Sequence, residues 1–154
     1  GSLKRFLAST NAAIGGASGI LIQFPLYFGI MGIMSGTGLV EALSMAMVRL
    51  STPATFELWT LLSAGIVNVF VPSGGGQWAV QGPLLLRAAL DLGVPLDRTV
   101  LAMAYGDELT NMLQPFWALP LLGITGLAAK DILPYTLRFM AAGAATCVLL
   151  TLLF

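Results

Sequence analysis

The architecture of this chain turns on residues 54–93, ATFELWTLLSAGIVNVFVPSGGGQWAVQGPLLLRAALDLG. Residues 54–71 form an apolar stretch that runs directly into Pro72-Ser73-Gly74-Gly75-Gly76. A helix does not pass through that sequence uninterrupted: proline removes a backbone donor, and each glycine costs about 1 kcal/mol relative to alanine in a helix interior. A second apolar stretch, 77–92, follows and ends near Arg87, Asp91 and Gly93. The block reads as two helical arms around a glycine tip. Gly82-Pro83 lies inside the second arm, so its helix is expected to begin near Pro83, with an irregular tip longer than the glycines alone.

Composition sets the solvent around this hairpin. Hydrophobic residues make up 57% of the 154 and charged residues 9%, with a mean hydropathy of +0.90. Soluble domains carry about 25% charged residues. A chain this poor in charge cannot cover a water-facing surface, so an all-α membrane protein is expected. Seven basic residues balance seven acidic ones, which argues against a nucleic-acid partner. There is no histidine, which excludes Ser-His and Cys-His catalysis, His-ligated zinc and haem. Cys147 is the single cysteine. Gly1-Ser2 looks like a cloning remnant, residues 1–10 read as a lead, and nothing near Lys4-Arg5 reads as a signal peptide.

Residues 11–154 read as one transmembrane repeat. Residues 11–34 form an N-terminal span that includes Gln23 and Pro25. Gly15/Gly19 and Gly32/Gly36 are small-xxx-small pairs, read as packing glycines. Residues 36–50, with Glu41 and Arg49, form an amphipathic helix too short to span and suited to the interface. Ser51-Thr52-Pro53 is a turn into the hairpin. Asp97 is the expected N-cap of the next helix. A continuous helix over 97–127 would be about 46 Å long and would contain Gly106, Pro115 and Pro120. It is expected to break between Tyr105 and Pro115. Residues 128–133 read as a loop and 134–154 as a C-terminal span anchored by Tyr135 and Arg138. Lys4, Arg5, Lys130 and Arg138 on one side against Arg49, Arg87 and Arg98 on the other give no orientation.

Irregular backbone at membrane depth survives only where protein buries it or a watery cavity meets it. Two places qualify. At the tip, Ser73 and the N–H groups of Gly74, Gly75 and Gly76, with the positive end of the following helix, suit a carboxylate; a plain turn at the membrane surface fits the same residues. In YGDELTNMLQP (105–115), Asp107, Thr110, Asn111 and Gln114 fall at i, i+3, i+4 and i+7 on one helix face. An ionisable residue within a span marks an ion or proton pathway by default, so Asp107 is the candidate for a proton or Na⁺. Glu108 points elsewhere. Gln77, Thr110, Asn111 and Gln114 are candidate hydrogen-bond donors to a substrate. Asn68, Trp78, Gln81, Tyr105 and Trp117 are candidate cavity-lining residues, the two tryptophans in one cavity. No GK[ST] follows any glycine run, which excludes a phosphate loop. Gly16-Ala17-Ser18-Gly19 looks like a rhomboid nucleophile without its histidine. Tyr105-Gly106-Asp107 faintly resembles an intramembrane aspartyl protease without a second carboxylate at that depth.

QFPLYFGIMGIM (23–34), VNVFVPSGGGQWAVQGP (67–83), YGDELTNMLQPFWALPLLGITGL (105–127) and DILPYT (131–136) resemble the short-chain fatty acid transporter family. The likeness covers nearly the whole chain from residue 11. It implies uptake of butyrate- or acetoacetate-like monocarboxylates by a multi-pass protein of the bacterial inner membrane, with no cofactor beyond a coupling ion. It also implies a distant likeness to ion-coupled anion transporters built from inverted repeats, in which 54–93 is a re-entrant hairpin and 97–127 a broken helix. Family members are much longer and the match is to their C-terminal part. The expected partners are therefore a small carboxylate, the lipid bilayer, and either the missing N-terminal repeat or a second copy in a homodimer. A non-transporting scaffold or dimerising module is the alternative, and a channel is a third reading.

Overall fold

A computed structural model describes residues 2–153, the side chains at 16, 20 and 116 excepted. Gly1 of the expected remnant and Phe154 of the expected last span lie outside the described residues. All regular structure among the described residues is helical: α1 (Leu3–Gly36), α2 (Leu39–Leu50), α3 (Phe56–Phe70), α4 (Gly74–Leu92), α5 (Leu96–Asn111), a 3-10 turn (Pro115–Ala118), α6 (Leu119–Thr125) and α7 (Ala129–Leu153).

The break between α3 and α4 is shorter than the sequence implied. Only residues 71–73 are non-helical. The three glycines form the first turn of α4, where orphan N–H groups make glycine and missing side chains cheap. Ser73 is the N-cap, its hydroxyl accepting from the Gly76 N–H at 3.3 Å. Pro83 sits inside α4 on its exposed side, so the expected start near Pro83 is corrected. Tertiary packing overrides the cost: Leu85 and Ala89 of the same helix are buried against Phe56 and Ala64 of α3. Gln77 bonds to Ala64 and Gln81 to Ser63, so later residues of α4 meet earlier residues of α3 and the arms run antiparallel. α4 ends at Gly93, whose φ of 71° is the left-handed backbone that favours glycine. The Val94 N–H closes the cap on Ala89 O, and Val94 is buried behind it.

α3 packs most extensively on α5. The reason is a glycine pair. A Cβ on Gly106 would stand 2.1 Å from the Leu61 carbonyl oxygen and 2.9 Å from the Gly65 nitrogen. Backbone meets backbone there, as small residues permit between membrane helices.

Several boundaries differ from expectation. Asp97 is not the N-cap of α5; Pro95 holds that place, and Asp97 lies in the first turn, where a carboxylate faces the positive helix end. Residues 129–133 are helical rather than looped. Asp131 reaches back to accept the Ala128 N–H at 2.8 Å, as in half of a capping box, and α7 continues through Pro134. α2 buries Val40 and Ser44, its Val40 packing with Met34, Val67 and Val71.

Among the described residues, two helical segments are long and apolar enough to cross a membrane: Ala17–Gly36 within α1 and Ala129–Leu153, which is α7. Their apolar windows are 6% and 0% buried inside the chain. At 1.5 Å per residue the 34 residues of α1 run about 51 Å. Pairs 15/19 and 32/36 face nothing within 4 Å, so these glycines pack no helix of this chain.

Candidate functional site

Where α3 stops and α5 stops, backbone carbonyls lose their helical partners. Polar side chains from the facing helix take their place. Asn68, in the last turn of α3, points its amide nitrogen at α5 and donates to Asp107 O at 2.8 Å, Asn111 Oδ1 at 2.9 Å and Thr110 Oγ1 at 3.0 Å. Gln114, just beyond the end of α5, returns the contact by donating to Asn68 O at 3.0 Å. Trp117, on the 3-10 turn, donates its indole N–H to Asn111 O at 3.1 Å. Thr110 also donates to Gly106 O at 3.3 Å within α5. The i, i+3, i+4 spacing of Asp107, Thr110 and Asn111 is therefore used, on a hairpin rather than on open space.

Asp107 stands next to the tip. A Cβ on Gly74 would lie 3.4 Å from Asp107 Oδ2. Asp107 Oδ1 is buried and has no hydrogen-bond donor. The N–H groups of Gly74 and Gly75 have no acceptor among the described residues, and both glycines are exposed. The N–H of Gly76 is engaged by Ser73, and that of Gln77 by Ser73 O at 2.7 Å. Of the tip donors named from the sequence, Gly74 and Gly75 remain open to an anion, while Ser73 and Gly76 are occupied with the cap.

Two cavities flank the tip and share Pro72 as a wall. One, of about 200 Å³, lies against α1 and is lined by Phe24, Tyr27, Phe28, Met31 and Ser73. The other, of about 630 Å³, is lined by Asn111, Met112, Gln114 and Trp117 and by Thr136 and Phe139 of α7. Glu108 lines this larger cavity too, which corrects the expectation that it points away from the site.

Four expected residues lie elsewhere. Gln77 and Gln81 are 0% and 1% exposed between the hairpin arms. There Gln77 donates to Ala64 O at 2.9 Å and to Gln81 Oε1 at 2.8 Å, and Gln81 donates to Ser63 Oγ at 2.6 Å. Tyr105 lines a separate cavity of about 240 Å³ beside the Arg98–Glu57 ion pair, which measures 2.7 Å. Trp78 lies across Gly82, where a Cβ would stand 2.8 Å from the indole, and it does not share the Trp117 cavity. Sequence reasoning missed Gly65, whose role depends on a partner 41 positions away in Gly106. It also missed Thr136 and Phe139, which carry no signal inside an apolar span.

The sequence profile of the family described as "Short chain fatty acid transporter" matches residues 4–154. A protein of Escherichia coli named "Putative short-chain fatty acid transporter" is 42% identical over 130 residues, covering 84% of this chain and 30% of that protein. A Haemophilus influenzae protein of the same name is 40% identical over 135 residues, covering 88% of this chain and 30% of its own length. The chain thus spans about 30% of the length of these curated relatives. No solved structure matches it.

Proposed function

This chain belongs to the short chain fatty acid transporter family, and from that premise we propose that it forms one repeat of a secondary transporter for butyrate- and acetoacetate-like monocarboxylates in the bacterial inner membrane. In this reading α1 and α7 span the bilayer, α2 lies at the interface, α3 and α4 are the re-entrant hairpin, and α5 with α6 is the broken helix. The site is completed by an N-terminal repeat or a second copy.

One observation carries the reading. Two unbonded N–H groups begin a 19-residue helix and lie beside a carboxylate with a buried, unpartnered oxygen. Helix N-termini bind carboxylates through such groups, and transporters place broken-helix ends at the bilayer midplane for this use. The substrate carboxylate meets Gly74 and Gly75. Its short alkyl chain fits the apolar cavity against Phe28 and Met31. Asn68, Thr110, Asn111 and Gln114 hold the tip in place. Asp107 carries the coupling proton or cation.

Labelled butyrate uptake into proteoliposomes of the full-length protein tests this. Gradient-driven accumulation is expected in the native protein and its loss in Asp107→Asn. Unchanged accumulation in the variant removes Asp107 from coupling, and no uptake by folded native protein removes the transport reading. The bare glycine pairs of α1 favour a second reading, a dimerising module without transport. In that reading, Gly15→Leu disrupts assembly while Asp107→Asn changes nothing.

A further inference from the structure

Three buried oxygens near the hairpin tip lack a donor: Asn68 Oδ1, Gln77 Oε1 and Asp107 Oδ1. Asn68 and Gln77 are both 0% exposed. Neither amide can be turned over to repair this. The Asn68 nitrogen faces the backbone carbonyl of Asp107, and the Gln77 nitrogen faces that of Ala64. A carbonyl only accepts, so each nitrogen must stay where it is and each oxygen must look the other way. Buried polar atoms are almost always paired. Of the six unpaired ones among the described residues, Glu41 Oε2, Ser44 Oγ and Thr60 Oγ1 lie on other parts of α2 and α3, and the remaining three belong to neighbouring residues that one shared partner would serve.

The three residues lie within a turn or so of one another on three helices. Asn68 bonds to the backbone of Asp107. The Asp107 carboxylate abuts Gly74. Gln77 sits one turn inward from Gly74 on α4 and bonds to Ala64, one turn before Asn68 on α3. Asn68 and Asp107 both fall in the last turns of their helices, so two negative dipole ends face this region against the single positive end of α4.

We propose that Asn68 Oδ1, Gln77 Oε1 and Asp107 Oδ1 are protein donors of an Na⁺ site. The donors are hard oxygens: two neutral amides and one carboxylate. A single negative charge balances a monovalent ion and leaves a divalent one undercompensated. No group of three acidic, histidine or cysteine side chains suited to a divalent metal exists among the described residues. A proton on Asp107 would give one donor to one oxygen and leave another oxygen unpaired, whereas a cation serves all three. The charged residues of the packed arms, Glu57 on α3 and Arg87 and Asp91 on α4, lie toward the ends away from the tip. Glu108 is the adjacent charge, on α5 itself. The proposal rests on the transport reading and deepens it by naming its coupling ion; binding tests the site and uptake tests the coupling.

The experiment is thermal unfolding of the full-length protein in detergent micelles, without carboxylate, in NaCl, KCl or choline chloride at equal ionic strength. Na⁺ is expected to raise the midpoint saturably above choline, because a ligand of the folded state stabilises it by mass action. The near-isosteric Asp107→Asn is expected to lose that shift, and Gln77→Leu to weaken it. If a variant fails to fold, the native protein in the three salts still decides. Equal midpoints in all three salts, or a full Na⁺ shift in Asp107→Asn, overturn the site. Butyrate uptake driven by a pH gradient in sodium-free buffer overturns it while leaving the transport reading intact. A Na⁺ shift without any uptake keeps the site and removes the transport reading.

Discussion

Helices α3 and α7 are both apolar, yet they settle in opposite surroundings. α3 buries Phe56, Thr60, Ser63, Ala64, Val67 and Asn68 among others, while α7 has no buried residue and leaves Phe139 70% exposed. Hydropathy does not separate them. Close approach does: Gly65 and Gly106 let α3 meet α5 backbone to backbone, and only at that range can Asn68 reach three acceptors across the interface. α7 touches α5 through side chains such as Leu109, Ala144 and Cys147, faces the larger cavity with Thr136 and Phe139, and presents most of its remaining surface outward. One region is built on glycine contact and amide bonding. The other is an apolar coat, suited to lipid or to a second repeat.

Substitutions in the two regions should therefore behave differently. The largest contrast is Gly106→Leu against Gly15→Leu. The first drives a side chain into the Leu61 carbonyl and should cost about 3 kcal/mol or more, since backbone rather than a flexible side chain must yield. The second meets nothing within the chain and should leave unfolding in micelles unchanged. A normal Gly106→Leu midpoint would break the comparison. Next comes Asn68→Leu, which strips three acceptors of their donor and should lower stability by about 1–3 kcal/mol. Thr146→Val on α7, which loses one exposed bond to Ala142 O, should be close to neutral in the same assay. Gly75→Ala is expected to change stability little, and in the favourable direction. Nothing lies within 4 Å of the new methyl group, and alanine favours a helix by under about 1 kcal/mol. Butyrate uptake should nevertheless fall, because the methyl group crowds an open N–H. Normal uptake kinetics would place the carboxylate elsewhere.

Much of this arrangement was legible in the residues. Pro72 and the glycines marked the end of α3, and Asp107, Thr110 and Asn111 announced a shared face. What stayed hidden depended on partners. Pro83 argues for a helix start when taken alone, but Leu85, Ala89 and the Gln77–Gln81 pair hold α4 together through it. Gln77 and Gln81 look like site residues by composition, and only the opposite arm reveals that they bond to Ala64 O and Ser63. Lys130 and Asp131 look like a loop because charge and turns often coincide, whereas Asp131 starts a helix by binding the Ala128 N–H.

The Gln114 amide on Asn68 O has a kinematic consequence. It fastens the hairpin tip to the interruption itself, beyond the helical residues that the Asn68 fork holds. The tip and the interruption are thereby coupled and displace as one piece. The left-handed glycines outside that piece, Gly38 between α1 and α2 and Gly126 between α6 and α7, are where the chain turns into its outer helices. A side chain at either position would strain the backbone at the joint between the amide lattice and an outer helix.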